Sequence, residues 1–370
     1  MAEFYMPDLD SAEIADQELN RFAYDLHDYA DLQDILSSPQ FNSPEVYTID
    51  LLALSKNGIL LRDEMQKYLD SHHNSSSALK EVLKTPFHYK FYTEMRQKAP
   101  DKDHFELGTF CHMAFLEPER FDKVIIEPDH PLNTTEGVTN MVRWYEKVNQ
   151  CGNADLSGYK IADLRGYLQE LKAACPYQRI KREHQDIIDI VRYNYKTYGG
   201  GIIPRLLKGA VAEVSLYGTD QETGLPVKIR PDYFNLEENI GANAIISFKT
   251  TSAQSLGKFF YDSAKYAYEI SEGMYLQVGS EVTERKFTAV FTIMLQTVPP
   301  YLVAVFFWAP DDLANGKYKY RTALLTVKEC QEKLFWPGFD AAAESGDCGI
   351  IHMKQPEWSF KELHPVDIDE

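Results

Sequence analysis

The sequence predicts an α/β protein with a central mixed β-sheet flanked by helices and a helical extension at the N-terminus. Residues 214–217 and 227–231 are β-type runs separated by a turn rich in Asp, Gly and Pro, which predicts an antiparallel hairpin. Residues 244–248 form a short apolar run typical of a buried strand. Two strongly apolar runs within residues 286–308 complete a predicted sheet of about five strands.

Apolar residues at helical spacing occur on both sides of these strands. The first 70 residues predict a small helical region, and residues 255–282 predict one long helix with an aromatic stripe. Other helices are predicted at residues 107–116, 134–150, 161–174, 183–198 and 317–339. We therefore divide the chain into an acidic helical N-terminal region, a core and an acidic C-terminal tail, at residues 1–70, 71–345 and 346–370.

Composition is that of a globular protein with a sizeable core, since 44% of the 370 residues are hydrophobic. The net charge of −18 is unusual for a protein that binds nucleic acid. Ten acids and one base lie within residues 1–34, so the remainder is only mildly acidic and leaves room for a local basic channel. This acidic segment is most often a solvated face, and an interaction or autoinhibitory arm is the alternative.

The five cysteines are widely spaced and contain no CxxC pair, which favours free thiols in a reducing cytoplasm. No apolar run approaches the length of a membrane span, and the N-terminus lacks the pattern of a signal peptide. The chain also lacks a phosphate-binding GxxxxGK(S/T) loop, a GxSxG elbow and zinc-type spacing. These absences argue against an ATPase, an α/β-hydrolase and a zinc enzyme.

An aspartate and a lysine stand at the ends of two successive predicted strands. Asp232 follows the hairpin, and Lys249 ends the buried run. The carboxylate can hold a hard divalent cation, and the ammonium group can orient a water molecule or a phosphate. Taken alone, such a pair is more often a turn aspartate and a solvated lysine. Whether this pair has a functional role therefore depends on the wider pattern of residues around it.

That wider pattern includes Glu213 in AEVSLY, Asp232 in RPD and Lys249 in FKTT. Two upstream segments precede it: SSALKEVLKTPFHY at residues 76–89 and LGTFCHMAFLEPERF at residues 107–121. In this order, over residues 75–340, the pattern resembles the PD-(D/E)xK nuclease superfamily. Within that superfamily it resembles the RecE-like phage recombination exonucleases of the exonuclease VIII type, and it implies a restriction-endonuclease-like core.

The resemblance implies roles for five residues. Asp232 would hold Mg²⁺, or Mn²⁺ as the alternative ion, with help from His112 and Glu213. Lys249 would position the attacking water, and the hydroxyl of Tyr275 would reach the active site or a DNA phosphate. A lone histidine on an apolar helix is usually a core residue. The prediction that His112 faces the metal therefore depends on the resemblance.

The resemblance also implies partners. Such enzymes degrade one strand of duplex DNA from an end and pass the 3′ overhang to a single-strand annealing protein. It implies a homo-oligomeric ring around DNA, with a tetramer as one option. No membrane partner is expected, because the chain has no apolar run of spanning length. Basic residues between positions 179 and 208 are candidates for contacts with the DNA backbone, and a solvated helix face is the alternative.

Two positions depart from the family pattern. Ser247 stands where the family has an acid two residues before the lysine, and Ser271 stands where it has a glutamine four residues before Tyr275. One interpretation is that another acid fills the place left at position 247. Glu213 is the best candidate, and the poorer ones are Glu237, Glu238 and Asp262.

The alternative interpretation is that metal binding is weak because the carboxylate at position 247 is missing. The chain would then be a catalytically impaired protein with a nuclease fold. Such a protein would bind DNA, or a recombination or defence partner, without cutting.

Overall fold

The computed structural model describes residues 28–95 and 103–355. The strands, in chain order, are β1 (Gly58–Leu61), β2 (Ile125–Glu127), β3 (Arg179–Lys181), β4 (Val211–Ala212), β5 (Ser215–Thr219), β6 (Pro226–Ile229), β7 (Tyr233–Asn235), β8 (Ala244–Thr251), β9 (Ala289–Gln296) and β10 (Val303–Phe307). The helices before the central strands are α1 (Leu32–Ser37), α2 (Pro39–Asn42), α3 (Leu51–Leu54), α4 (Met65–Asp70), α5 (Ser76–Val82), α6 (Pro86–Met95), α7 (Asp103–Leu116), α8 (Pro118–Phe121), α9 (Thr135–Val148), α10 (Ile161–Ala174), α11 (Arg182–Thr197) and α12 (Ile202–Leu206). The later helices are α13 (Glu237–Ile240), α14 (Leu256–Lys265), α15 (Tyr268–Thr283) and α16 (Pro310–Lys333).

The central sheet has five strands in the order β10-β9-β8-β7-β4. The central strands β8 and β9 are parallel and the other neighbours are antiparallel, so the predicted mixed sheet is confirmed. All residues of β9 are buried, in keeping with its nearly continuous apolar sequence. The two faces of β8 pack into different clusters, with Ile245 beside α15 and α16 residues and Ile246 beside residues of α11 and α12.

The predicted hairpin forms, but it lies outside the central sheet. Strands β5 and β6 pair antiparallel and are joined by β1 in a separate three-stranded sheet. The chain changes sheet twice: between β4 and β5 at Glu213, whose φ is 54°, and between β6 and β7 at Asp232. The prediction that the hairpin belongs to the central sheet is therefore wrong, and the short strands β4 and β7 lie at that edge of the central sheet instead. Sequence alternation specifies pairing between neighbours but not the sheet to which the pair belongs.

The prediction of a single long helix at residues 255–282 is also wrong. This segment is divided into α14 and α15 at Ala267, which has a φ of 49°. The aromatic residues on the two sides of this break still pack together: the rings of Phe259 of α14 and Tyr268 of α15 have centroids 6.5 Å apart. The regular spacing of aromatic residues in the sequence therefore runs through the break. An apolar stripe records which side chains are buried, and it does not record a change in helix direction.

The described part of the N-terminal region is continuous with the core. Strand β1 pairs with β5, and the backbone N–H of Ala30 donates to the carbonyl of Thr288 at 3.0 Å. Ile35 and Phe41 are buried beside strands β8 and β9. The division at residue 70 remains a prediction, and the acidic helix expected before residue 28 lies outside the described residues, as does the end of the tail beyond residue 355.

The five cysteines are free, as their spacing predicted. Across the described residues, no helix combines the length and the apolar character that a membrane crossing requires.

Candidate metal and nuclease site

Four predicted site residues come from four different parts of the fold. His112 lies on α7, Glu213 between β4 and β5, Asp232 between β6 and β7, and Lys249 in β8. The two changes of sheet bring Glu213 and Asp232 side by side, and the N–H of Glu213 donates to the carbonyl of Asp232 at 3.1 Å. The apolar run around Glu213 predicts a helix, which is wrong, because Glu213 occupies a turn with positive φ between two strands.

His112, Glu213 and Asp232 converge on one cleft. Nε2 of His112 lies 3.0 Å from Oδ1 of Asp232 and 3.5 Å from Oε1 of Glu213. One ligand atom from each of the three residues can be chosen so that all lie within 4.8 Å of one another. Two carboxylates and one imidazole fit a divalent cation, with the oxygens suiting Mg²⁺ and the imidazole also suiting Mn²⁺.

The second oxygen of Asp232 faces strand β8. Oδ2 accepts a hydrogen bond from the N–H of Phe248 at 2.6 Å and lies 3.9 Å from Nζ of Lys249. The positions of Asp232 and Lys249 at the ends of successive strands predict that their side chains lie within one side-chain length of each other, and the structure places them so. The ammonium group of Lys249 also lies 5.3 Å from the centre of the Tyr268 ring. The carboxylate thus connects the ligand cluster to the lysine.

Opposite charges in the cleft shift the pKa values of these groups. Burial alone would raise the pKa of Asp232, but Lys249, His112 and the Phe248 N–H lower it. Burial alone would lower the pKa of His112, but the hydrogen bond and charge of Asp232 raise it. For Glu213 burial dominates and its pKa is raised. Lys249, together with His112 when its imidazole is protonated, therefore stabilises the negative charge of Asp232.

Arg230 holds Glu213 in place. Its Nε donates to Oε2 of Glu213 at 2.7 Å, and its Nη1 donates to Oδ1 of Asp63 at 3.2 Å and to the hydroxyl of Ser215 at 3.0 Å. Asp63 follows β1 and also accepts from the hydroxyl of Tyr217 at 2.6 Å. The other carboxylate oxygen of Glu213, Oε1, faces His112. Residues of the three-stranded sheet thus hold a residue of the ligand cluster in place through Arg230.

The residue that sequence analysis missed is Glu272. Its carboxylate accepts a hydrogen bond from the hydroxyl of Ser247, which lies 2.8 and 2.9 Å from the two carboxylate oxygens. Both side chains are fully buried. The signal in the sequence was an acid within the apolar stretch of a helix, beside the expected glutamine position at Ser271.

Three acids proposed as substitutes for the missing carboxylate have other partners. Glu238 pairs with Arg285 at 2.7 Å, and Asp262 pairs with Lys258. Glu237 is largely exposed and lies 3.9 Å from Arg285. None of the three belongs to the cluster formed by His112, Glu213 and Asp232 in the described part of the chain.

Tyr275 is a partly buried side chain of α15 that packs against the core. Its hydroxyl is hydrogen-bonded to Ser76 of α5. Ser271, one turn earlier, also meets Ser76, with the two hydroxyl oxygens 3.2 Å apart. Both positions of the expected Gln-x-x-x-Tyr pattern therefore contact the start of α5, and the role of Tyr275 stays a prediction.

Most of the basic residues proposed for DNA contacts have structural partners. Arg192 donates to the carbonyl of Ala114, and Lys208 donates to two carbonyls of the α2 region. Arg179 donates to the hydroxyl of Tyr145. A second lysine, which sequence analysis also missed, lies near the cleft: Nζ of Lys80 is 5.9 Å from the centre of the Tyr268 ring.

The mixed sheet, the flanking helices and an Asp–Lys pair whose aspartate belongs to a cluster that could hold a metal ion are the features of a domain of the PD-(D/E)xK nuclease type. A family model described as a PDDEXK-like domain of unknown function (DUF3799) matches residues 75–353, and the chain belongs to this family. A comparison with curated proteins found no match.

Among solved structures, the chain is similar to a candidate exonuclease from Eubacterium rectale, crystallised and solved at 2.19 Å resolution. The two chains share 13% sequence identity with a TM-score of 0.41. The alignment covers 82% of this chain and 97% of that chain.

Proposed function

We propose that this protein is a metal-dependent deoxyribonuclease that degrades duplex DNA from its ends, as the RecE-type recombination exonucleases do. One observation carries the proposal: His112, Glu213 and Asp232 converge within 4.8 Å, and Lys249 lies 3.9 Å from the same aspartate. Ligands for a cation and a lysine beside them are the groups that phosphodiester hydrolysis needs.

Each residue has a distinct role in this proposal. His112, Glu213 and Asp232 would hold the cation, Mg²⁺ or Mn²⁺. When bound, the cation would polarise the scissile phosphate and neutralise charge that develops during hydrolysis. Lys249 would orient the attacking water or the phosphate. The Phe248 N–H and Arg230 would fix Asp232 and Glu213 so that the ligand geometry exists before DNA binds.

The finer parts of the proposal follow from the resemblance of the sequence to RecE-type enzymes. The substrate would be a double-stranded DNA end in phage homologous recombination. The product, a 3′ overhang, would pass to a single-strand annealing protein. The active form would be a homo-oligomeric ring around the duplex, and a tetramer is the size to test first.

The function is tested by digesting linear and closed circular duplex of the same sequence over a range of Mg²⁺ concentrations. The wild type should release nucleotides from the linear form alone. Lys249→Ala should be inactive, whereas Lys258→Ala, which changes a largely exposed lysine on α14, should retain the rate. Mn²⁺ should replace Mg²⁺.

Ser247 favours one alternative, a protein that binds DNA ends without cutting them. A wild type that retards linear duplex on a gel but cuts no faster than Lys249→Ala would establish this alternative. Cutting of the circular form would instead show an endonuclease. Labels on the 5′ and 3′ ends of the linear substrate then give the polarity.

A further inference from the structure

Glu272 is a buried carboxylate that the proposed mechanism does not use. It is fully buried on α15, and the hydroxyl of Ser247 is its hydrogen-bond donor within the described residues. A charged carboxylate in such surroundings is unfavourable for folding, because one neutral hydroxyl replaces several water molecules. Burial raises the pKa of Glu272, and the charge of Lys249 is the largest of the influences that oppose this rise.

Strand geometry places Glu272 on the same side of the sheet as Lys249. Side chains two residues apart on a strand point to one face, so Ser247 and Lys249 both face α15. Lys249 also lies 5.3 Å from the ring centre of Tyr268, which is one turn before Glu272 on that helix. The charges of Asp232 and Glu272 together raise the pKa of Lys249, against the effect of burial.

The two acids near Lys249 differ in what else they serve. Asp232 belongs to the cluster that can hold a cation, and a bound cation would take up most of its negative charge. Glu272 lies outside that cluster. It therefore remains as the acid that balances Lys249 when a cation is present.

We propose that Glu272 supplies, from helix α15, the negative charge that position 247 lacks, with the Ser247 hydroxyl holding its carboxylate toward Lys249. Glu272 is a positioning residue: it keeps Lys249 oriented for the water or phosphate. The proposal rests on the nuclease function proposed above and deepens it. It also gives Ser247 a role, as the donor that accommodates an acid arriving from the helix instead of the strand.

The test moves the charge between the two positions. Glu272→Gln keeps the shape and can still accept from Ser247, but it removes the charge. Ser247→Asp adds a carboxylate where Glu272 already lies, and the double variant Ser247→Asp/Glu272→Gln transfers the charge from helix to strand. Glu269→Gln is the matched control, because Glu269 lies on the same helix but pairs with Lys319 at 2.9 Å.

For each variant, kcat and KM are measured on linear duplex, and the melting temperature is measured in EDTA. Glu272→Gln should lower kcat by about 10–100-fold with little change in KM. Its melting temperature should be equal to that of the wild type or higher, because a buried charge has been removed.

Ser247→Asp alone should melt lower, since two buried carboxylates then face each other. The double variant should regain most of the rate, and Glu269→Gln should keep it.

Two results would overturn the proposal while leaving the nuclease function intact. One is a Glu272→Gln variant that cuts at the wild-type rate. The other is a slow Glu272→Gln variant with a lowered melting temperature and no recovery in the double variant, which would mean a structural role. A wild type that cuts no faster than Lys249→Ala overturns the nuclease function and this proposal with it.

Discussion

At the scale of single residues, Arg230 connects the two sheets to the ligand cluster. It is almost buried and binds two carboxylates, Glu213 and Asp63, that are themselves largely buried. Each of these charges depends on the others, because removing one member leaves the rest unpaired in a medium that solvates charge poorly. The position of Glu213 in the ligand cluster therefore depends on a buried network of ion pairs centred on Arg230.

We expect Arg230→Met to lower the free energy of unfolding by about 3–5 kcal/mol, because it leaves two buried carboxylates without their partner. Urea unfolding of metal-free protein measures this. Arg120→Met is the control: its partner Glu117 lies at 3.1 Å on the surface, and its loss should cost less than about 1 kcal/mol. Equal losses for the two variants would contradict the proposed importance of the network.

A second buried pair predicts how stability depends on pH. Burial alone would raise the pKa of Asp220, but hydrogen bonds from Arg321 and Thr223 lower it below its usual value. An acid with a depressed folded-state pKa contributes stability above its unfolded pKa and loses it as the pH falls through the folded pKa.

Asp220→Asn should therefore lower the free energy of unfolding by about 3 kcal/mol near neutral pH, because Arg321 loses its buried charged partner and keeps only the half-exposed Glu222. The difference from wild type should shrink as the pH falls below about 4, the usual pKa of an aspartate in the unfolded chain. Urea unfolding at a series of pH values, or acid titration at fixed urea if the protein unfolds first, provides the measurement. A difference that grows toward low pH would have the wrong sign for this pair.

At the scale of elements, the crossing of α15 and α16 positions the helix that carries Glu272. The two helices meet backbone to backbone at Gly273 and Gly316. A Cβ at Gly316 would lie 1.9 Å from the carbonyl oxygen of Glu269, and a Cβ at Gly273 would lie 2.4 Å from the backbone nitrogen of Lys317. Side chains at either position would force the helices apart.

We expect Gly316→Ala to lower the free energy of unfolding by about 1–3 kcal/mol, and to lower nuclease activity, because α15 and α16 must separate and Glu272 on α15 then shifts relative to β8. Gly166→Ala on α10 is a matched control, since nothing lies within 4 Å of its added Cβ. That change should be neutral or stabilising by up to about 1 kcal/mol. Thermal melts and nuclease assays of both variants distinguish a packing clash from ordinary helix propensity.

At the scale of the whole molecule, acidic charge is concentrated at the N-terminus. Residues 1–27 contain seven acids and one base. The residues that follow are anchored, because Ile35 and Phe41 are buried against the central sheet. A truncation expected to remain folded should therefore begin before Ala30 and not near residue 40, where part of this anchor would be lost.

A protein beginning at residue 28 should bind linear duplex at least as tightly as the full chain at low salt, because a negative segment has been removed. The difference should fade at high salt, where exposed charges are screened beyond about 10 Å. A protein beginning at residue 44 should melt at lower temperature, since Ile35 and Phe41 are gone. Fluorescence anisotropy and thermal melts measure both effects, and weaker binding by the shorter truncation would contradict the proposed repulsion.

The sequence by itself determined the local structure and the site residues that local motifs encode. Hydrophobic periodicity placed the hairpin, the buried strand at residues 244–248 and most helices, because burial on one face leaves a regular pattern. The family resemblance selected His112, Glu213, Asp232 and Lys249, and the fold brings them together. These residues are found from sequence because each stands in a short segment with its own spacing.

Only the tertiary structure decided which sheet receives the hairpin, where the long helix divides, and which acid meets Ser247. Glu213 and Ala267 adopt positive φ at these changes of direction, a conformation that residue type does not predict. Glu272 lies twenty-five residues from Ser247 and reaches it only because α15 packs across β8. Contacts between distant segments depend on the packing of whole elements, and no local pattern of residues specifies that packing.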